Sequence, residues 1–312
     1  MEGHPNNRLR WAELPPEVRS AVQEILGDRV VAAVSQPGGY SPGTADRVRT
    51  AGGRRAFVKA ASPAQNPDTP DAHRAEARIT AALPAYAPTP RLLGCHDDGY
   101  WVALVLTDVD GRAPSTPWRP DELDAVLAAL ARMAAALTPV ALPRVPPIAE
   151  RLAGDFTGWA NVAADPPPDL HPWARAHLDE LRAATQRGLA TLAGDTLCHT
   201  DLRGDNLLID GDGRVTVVDW PWAAHGPAWL DSALLLLDVC LHGGYDLDTL
   251  LRRLPLAADA DPAALLGLYA GLAGFFTDRA RLPAPPGIPT LRPFQQAQAD
   301  VLLPWLANQL TA

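Results

Sequence analysis

Within the run CHTDLRGDNLLIDGDGRVTVVDW, Asp201 stands two residues after His199, Asn206 five residues after Asp201, and Asp219 thirteen residues after Asn206. Phosphoryl transfer asks little covalent help of a protein. It needs a carboxylate to orient the attacking hydroxyl and oxygen ligands to hold magnesium against the phosphates. Asp201 carries the right group for the first task. Asn206 and Asp219 carry it for the second, since magnesium prefers hard oxygen donors and takes few from protein. Turn preference accounts for Asp210 and Asp212. Three residue types at matched spacing beside apolar, β-rich stretches point instead to a site. His199 reads as a packed, hydrogen-bonded support rather than a base. Zinc is not expected, because no second histidine or cysteine stands at ligand spacing.

These side chains need elements to position them. A strand pair at 206–209 and 215–218, joined by the turn Asp210-Gly211-Asp212-Gly213, would bring Asn206 and Asp219 to one end of adjacent strands. Upstream, helical spacing of Val18, Val22, Ile25 and Leu26 runs from a proline start to a glycine stop over 15–27. A strand is expected at 30–36, then a hairpin over 45–61 turning at Gly52-Gly53. A helix over 73–83 places Ala75, Ile79 and Ala82 on one side, and a second hairpin over 91–111 turns at Asp97-Asp98-Gly99. From 112 onward the texture is helical, with periodic stretches at 122–137, 148–162, 173–192, 228–241, 262–276 and 294–306. The fold class expected is α+β and two-lobed, with a small β-rich lobe over 1–107 and a larger, mostly helical lobe over 108–312.

Composition narrows the partners. The formal charge of −9 and pI near 5.3 argue against a nucleic-acid partner. Cys95, Cys198 and Cys240 are an odd number and widely separated, so a disulfide framework is not expected. No apolar run reaches membrane-spanning length and the N-terminus has no apolar signal core, so a cytoplasmic protein without membrane partners is expected. Lysine is nearly absent while arginine abounds, which makes Lys59 informative.

The segment HTDLRGDN followed by VVDW resembles the H-x-D-x-x-x-x-N and D-W pattern of the aminoglycoside phosphotransferase family, a branch of the protein-kinase-like fold. The resemblance extends from about residue 31 to about residue 241. It implies that Lys59, in AFVKA, grips the α- and β-phosphates of a nucleotide, with Glu76, in HRAEARI, as its partner. The loop PGGYSPGTADRV takes the place of a glycine-rich phosphate loop, which makes Gly39, Ser41 and Gly43 candidate contacts. Pro42 within it lacks a backbone N–H that a phosphate cradle could use. Gly226-Pro227 followed by Asp231 is similar to the family's helix start, where the aspartate braces the catalytic loop from below, with His199 as a further structural support. Asp108 and Val109 fall at the hinge, where the choice of ATP or GTP is made.

Only eight residues, PWAAHGPA, follow Asp219-Trp220 before Trp229, and no A-P-E motif occurs, so there is no room for a peptide platform. A small-molecule hydroxyl acceptor is expected, an aminoglycoside or other antibiotic first. A metabolic acceptor (a sugar, a choline-like alcohol or a nucleoside) is the alternative, and a kinase-like binding module without catalysis the third reading. Acceptor contacts are expected from Asp155, Trp159, Asp205, Trp220 and Trp222, through acidity or aromatic stacking.

Overall fold

The computed structural model describes residues 8–36, 39, 42–254 and 260–311. Among these, the strands are β1 Val30–Ser35, β2 Thr44–Thr50, β3 Arg55–Ala61, β4 Leu92–Asp97, β5 Val102–Thr107, β6 Thr196–Cys198, β7 Leu207–Ile209, β8 Val215–Val217 and β9 Ala224–Gly226. The helices are α1 Pro16–Leu26, α2 Thr69–Ala82, α3 Pro120–Ala136, α4 Ile148–Ala153, α5 Gly158–Ala164, α6 Pro172–Ala176, α7 Leu178–Thr191, α8 Leu230–Gly243, α9 Leu247–Arg253, α10 Pro262–Ala280 and α11 Leu291–Thr311. The chain forms two compact units. One comprises 1–113, 205–222 and 285–289, the other 114–204, 223–284 and 290–312.

The first unit is built on an antiparallel sheet in the order β1-β2-β3-β5-β4. Strand alternation sorts its residues. Ala56, Val58 and Ala60 of β3, with Ala103 and Val105 of β5, join Val18, Val22 and Leu26 of α1 in one core. Burying each valine or leucine side chain here contributes about 1.5–3 kcal/mol, and each alanine about 0.8 kcal/mol. Lys59 and Phe57 point to the opposite face, where α2 lies against β3 and β5. The hairpin β7–β8 belongs to this unit. Arg112 and Ile209 exchange backbone hydrogen bonds of 3.0 and 2.8 Å, and the Val217 N–H donates to Pro88 O at 2.7 Å. The expected boundary at 107/108 places that hairpin in the helical part; it groups instead with 1–113 as a separate two-stranded sheet, through backbone bonds to Arg112 and Pro88 that local composition does not show.

The second unit is helical. Its centre is α10, buried along most of its length and packed on α7, α11 and α5. The expected single helix over 148–162 is broken into α4, a tight turn and α5. A Cβ on Gly158 would lie 2.3 Å from the Gly274 carbonyl, so the approach of α10 requires glycine there. The stretch 173–192 breaks at His177, whose ring stacks on Trp173 at 4.7 Å between centroids. Strands β6 and β9 and helix α9 have no counterpart in the sequence reading, being too short for periodicity to register.

Candidate active site

The first unit contains a cavity of about 460 Å³ with Phe57 and Leu106 of the sheet and Leu208 and Val218 of the hairpin among its apolar walls. Its polar end is organised by Lys59. The ammonium donates to Glu76 Oε1 and Oε2 at 3.0 and 2.8 Å and to Asp219 Oδ1 at 2.7 Å. All three ammonium protons therefore have carboxylate partners. Burial works to lower the Lys59 pKa, but the pull of Asp219 and Glu76 outweighs it and the amine is held above its ordinary value. Burial pushes Glu76 up, against the attraction of Lys59. Burial and the adjacent Lys59 charge depress His73, on the same helix, to about 3, so it lines the cavity as neutral imidazole.

The buried residues of α2 are Thr69, Pro70, His73, Glu76, Ala77 and Thr80, while Ala75, Ile79 and Ala82 lie on its less buried side. The helix turns Glu76 inward, toward Lys59. Asp219 follows β8 with a left-handed φ of 68°. That conformation is uncommon for a non-glycine residue, and such strain concentrates at functional positions. The Val218 N–H donates to Asn206 O at 3.0 Å, which keeps Asn206 and Asp219 at neighbouring ends of the hairpin.

Other expected contacts divide. Gly39, Asp205, Asn206 and Val109 line the cavity. Gly43 has a φ of 110°, and a Cβ there would lie 2.4 Å from Ala60 O, so it fixes the loop against β3. Ser41 lies outside the described residues. Asp108 requires correction. Its carboxylate is buried in ion pairs with Arg55 at 2.6 Å and Arg47 at 3.3 Å, while Thr107 and Val109 on either side face the cavity. Arg47 also donates to the carbonyls of Val109 and Gly111 at 2.9 and 3.1 Å, so Asp108 braces the hinge through Arg47.

In the second unit, Asp231 accepts the N–H groups of His199 and Thr200 at 2.8 and 2.9 Å. Thr200 has a φ of 70°, an outlier for a β-branched residue that this double grip sustains. Burial raises the Asp231 pKa, while His199 and the two N–H donors pull it down. Nδ1 of His199 accepts the Asp201 N–H at 3.2 Å. Asp201 pairs with Arg203 at 2.6 Å.

The sequence reading missed a second brace. Asp238 accepts from the Gly204 N–H at 3.1 Å and from Trp118 Nε1 at 3.3 Å. Asp231 and Asp238 stand seven residues apart on α8, hence on one face, and together hold the loop 199–204. That spacing is the signal the sequence offered for it.

The proposed acceptor tryptophans need correction too. Trp159 and Trp220 are each 1% exposed, and their indole N–H groups donate to Ala270 O and Val217 O. They are core residues with no face left for a ligand. Trp222 is exposed, and Asp155 is half-exposed with Arg279 at 3.6 Å.

The model of the phosphotransferase enzyme family matches residues 37–275, most of the chain. The chain belongs to this family. A search of curated proteins finds no match. Among solved structures, the chain is similar to aminoglycoside phosphotransferase APH(4)-Ia in ternary complex with ADP and hygromycin B, at 15% identity and a TM-score of 0.58 over 95% of this chain and 97% of that one. It is similar to an aminoglycoside phosphotransferase from Alicyclobacillus acidocaldarius, at 17% identity and a TM-score of 0.54 over 96% and 97%. It is also similar to choline kinase LicA from Streptococcus pneumoniae, at 13% identity and a TM-score of 0.60 over 95% and 98%. These likenesses establish the protein-kinase-like fold, with its five-stranded antiparallel sheet and helical second part. As a family member, the protein is a small-molecule kinase that transfers phosphate to hydroxyl groups.

Among the described residues, no three His, Cys, Asp or Glu side chains cluster as a metal cage. Asn206 and Asp219 instead present oxygen donors of the kind a magnesium ion takes when phosphates and water complete its shell. No helix among the described residues is long and apolar enough to cross a membrane.

Proposed function

We propose that this phosphotransferase uses ATP or GTP with Mg2+ to phosphorylate a hydroxyl of a small molecule. The observation that carries the reading is Lys59 bonded to Glu76 and Asp219 at the polar end of the cavity. In the proposed roles, Lys59 binds phosphate oxygens, Glu76 orients its ammonium, and Phe57, Leu106, Leu208 and Val218 enclose the base. Asn206 and Asp219 would hold the metal, which supplies charge neutralisation on the phosphates. A carboxylate oxygen of Asp201 accepts the proton of the acceptor hydroxyl. Asp231 and Asp238 position the loop through His199, Thr200 and Gly204.

For the acceptor, an aminoglycoside or other hydroxylated antibiotic is the first reading, supported by the hygromycin B complex of a structural neighbour. A metabolic alcohol is the second. It is favoured by the arginines that accompany Asp201 and Asp155: Arg203 and Arg279 pair with them, and burial depresses Arg151 while both acids attract it. Cations there disfavour a polycationic acceptor.

A screen of aminoglycosides, sugars, hydroxy acids and amino alcohols for Mg2+-dependent nucleotide consumption separates these readings. Asp201→Asn is expected to abolish turnover while nucleotide binding persists. Full turnover by that variant would overturn the assignment of the base. Because Lys59 is the sole lysine of the sequence, an amine-reactive nucleotide analogue has one lysine target to find by mass spectrometry.

A further inference from the structure

We propose that Arg8 is a phosphate-binding residue of the first unit's cavity, supplied by the chain ahead of the sheet. The proposal rests on the nucleotide reading above and adds a contact that none of the recognised motifs contains. Arg8 lines the cavity together with Gly39, Pro42, Lys59, Asp205 and Asp219. Its Nη1 donates to Gln36 O at 3.1 Å, at the end of β1 where the chain enters the glycine-bearing loop. A Cβ on Gly39 would lie 2.9 Å from Arg8 Nη2, so the guanidinium lies against the loop backbone itself.

The segment carrying Arg8 is anchored. The Trp11 N–H donates to the buried carboxylate of Asp46 on β2, and Leu14 is 2% exposed in the core beneath α1. Arg8 is therefore held at the cavity by packing that follows it directly in sequence.

Two features show what it lacks. The Lys59 ammonium already has Glu76 and Asp219 as partners, so the phosphate it is proposed to bind must share it with two carboxylates. Arg8 Nε, in contrast, is buried without a hydrogen-bond partner among the described residues. Burial lowers the Arg8 pKa, and Asp219, Asp205 and Asp46 only partly offset that. A buried donor without an acceptor is a group that an incoming oxygen anion would satisfy. In the loop it touches, Pro42 has no N–H to offer a phosphate. A planar guanidinium, with several donors in a fixed fork, suits phosphate oxygens and replaces the missing amide.

The test is equilibrium binding with full-length protein: wild type, Arg8→Ala and Arg8→Lys, each titrated with Mg2+-bound nucleoside triphosphate, the diphosphate and the bare nucleoside. Arg8→Ala is expected to weaken triphosphate binding by about 10- to 100-fold while nucleoside binding is unchanged. Arg8→Lys should recover part of the loss, since it keeps the charge but not the fork. Inorganic tripolyphosphate should displace a fluorescent nucleotide from wild type, and less readily from Arg8→Ala. Unchanged or tighter triphosphate binding by Arg8→Ala would overturn the proposal, tighter binding marking Arg8 as a plug. Equal loss of nucleoside and triphosphate affinity would overturn it as well, because that pattern reports a structural role. Wild type that binds no nucleotide overturns the nucleotide reading and this proposal together. Wild type that binds triphosphate no better than Arg8→Ala overturns this proposal alone.

Discussion

Replacing Glu76 by glutamine changes one charge at constant shape. In the native site the Lys59 ammonium has contacts of 3.0, 2.8 and 2.7 Å to Glu76 and Asp219, one for each proton. The amide oxygen of glutamine can keep one contact; the other falls to an NH2 group that repels the ammonium. A charge-assisted hydrogen bond is worth about 1.5–3 kcal/mol, and removing one partner of a buried pair costs up to about 3–5 kcal/mol. Two effects reduce that here. Asp219 still pairs with Lys59, and burial already works against the Glu76 charge, with Asp219 adding repulsion. The expected net loss is about 1–2 kcal/mol, a fall in melting temperature of about 2–8 °C.

Function should suffer more than stability. With Glu76 neutral, Lys59 has one carboxylate left and moves onto Asp219, in competition with the proposed metal. Glu76→Gln is expected to lower kcat/KM for nucleotide by about 10- to 100-fold and to raise the Mg2+ concentration for half-activity. Thermal melts by circular dichroism and initial rates across a Mg2+ titration measure both. Arg74→Gln is the control, since Arg74 pairs with Asp71 and with Asp97 of β4 away from Lys59; it should cost about 1 kcal/mol and leave KM and the Mg2+ requirement unchanged. A Glu76→Gln protein with wild-type melting, KM and Mg2+ requirement would refute the reasoning.

Two further outcomes follow from local geometry. Gly43→Ala places a Cβ 2.4 Å from Ala60 O at a φ of 110°, so the loop must shift; a loss of about 1–3 kcal/mol in denaturant unfolding and a raised nucleotide KM are expected, and wild-type values for both would refute it. His73 takes its native-state proton only near pH 3, whereas the unfolded chain takes it near the ordinary 6.5. Its contribution to stability is therefore complete above about 6.5 and is lost as pH falls from there toward 3. Between pH 7 and 5 that amounts to about 2 kcal/mol. Glu76, pushed up by burial, acts in the opposite direction, so the measurement is the difference between wild type and His73→Gln. The variant's pH dependence should be flatter by that amount, and parallel curves would refute the assignment.

Much of the site was legible because its chemistry is written locally. Asp201, Asn206 and Asp219 sit in one run, and Lys59 stands out as the lone lysine in an arginine-rich chain. The first-unit strands and α1 followed from alternation, helical spacing and turn residues, since each depends on neighbours within a few positions. Trp159 and Trp220 were misread because an indole on a site-forming segment and an indole in a core look alike in sequence. Only packing tells them apart, and here Ala270 O and Val217 O take their N–H groups.

The sequence by itself pointed to phosphoryl transfer, offered the candidate residues for it and placed most of the elements carrying them. Tertiary structure alone decided that His73 lies beside Glu76 on the inward side of α2 and that Asp238 joins Asp231 in holding the loop at 199–204. It also decided that the 207–217 hairpin completes the first unit and that Arg8 lies against the loop at Gly39. The physical reason is range. Propensity and spacing act over a few residues, whereas Lys59 and Asp219 are 160 residues apart and meet only because folding offsets the cost of bringing them together.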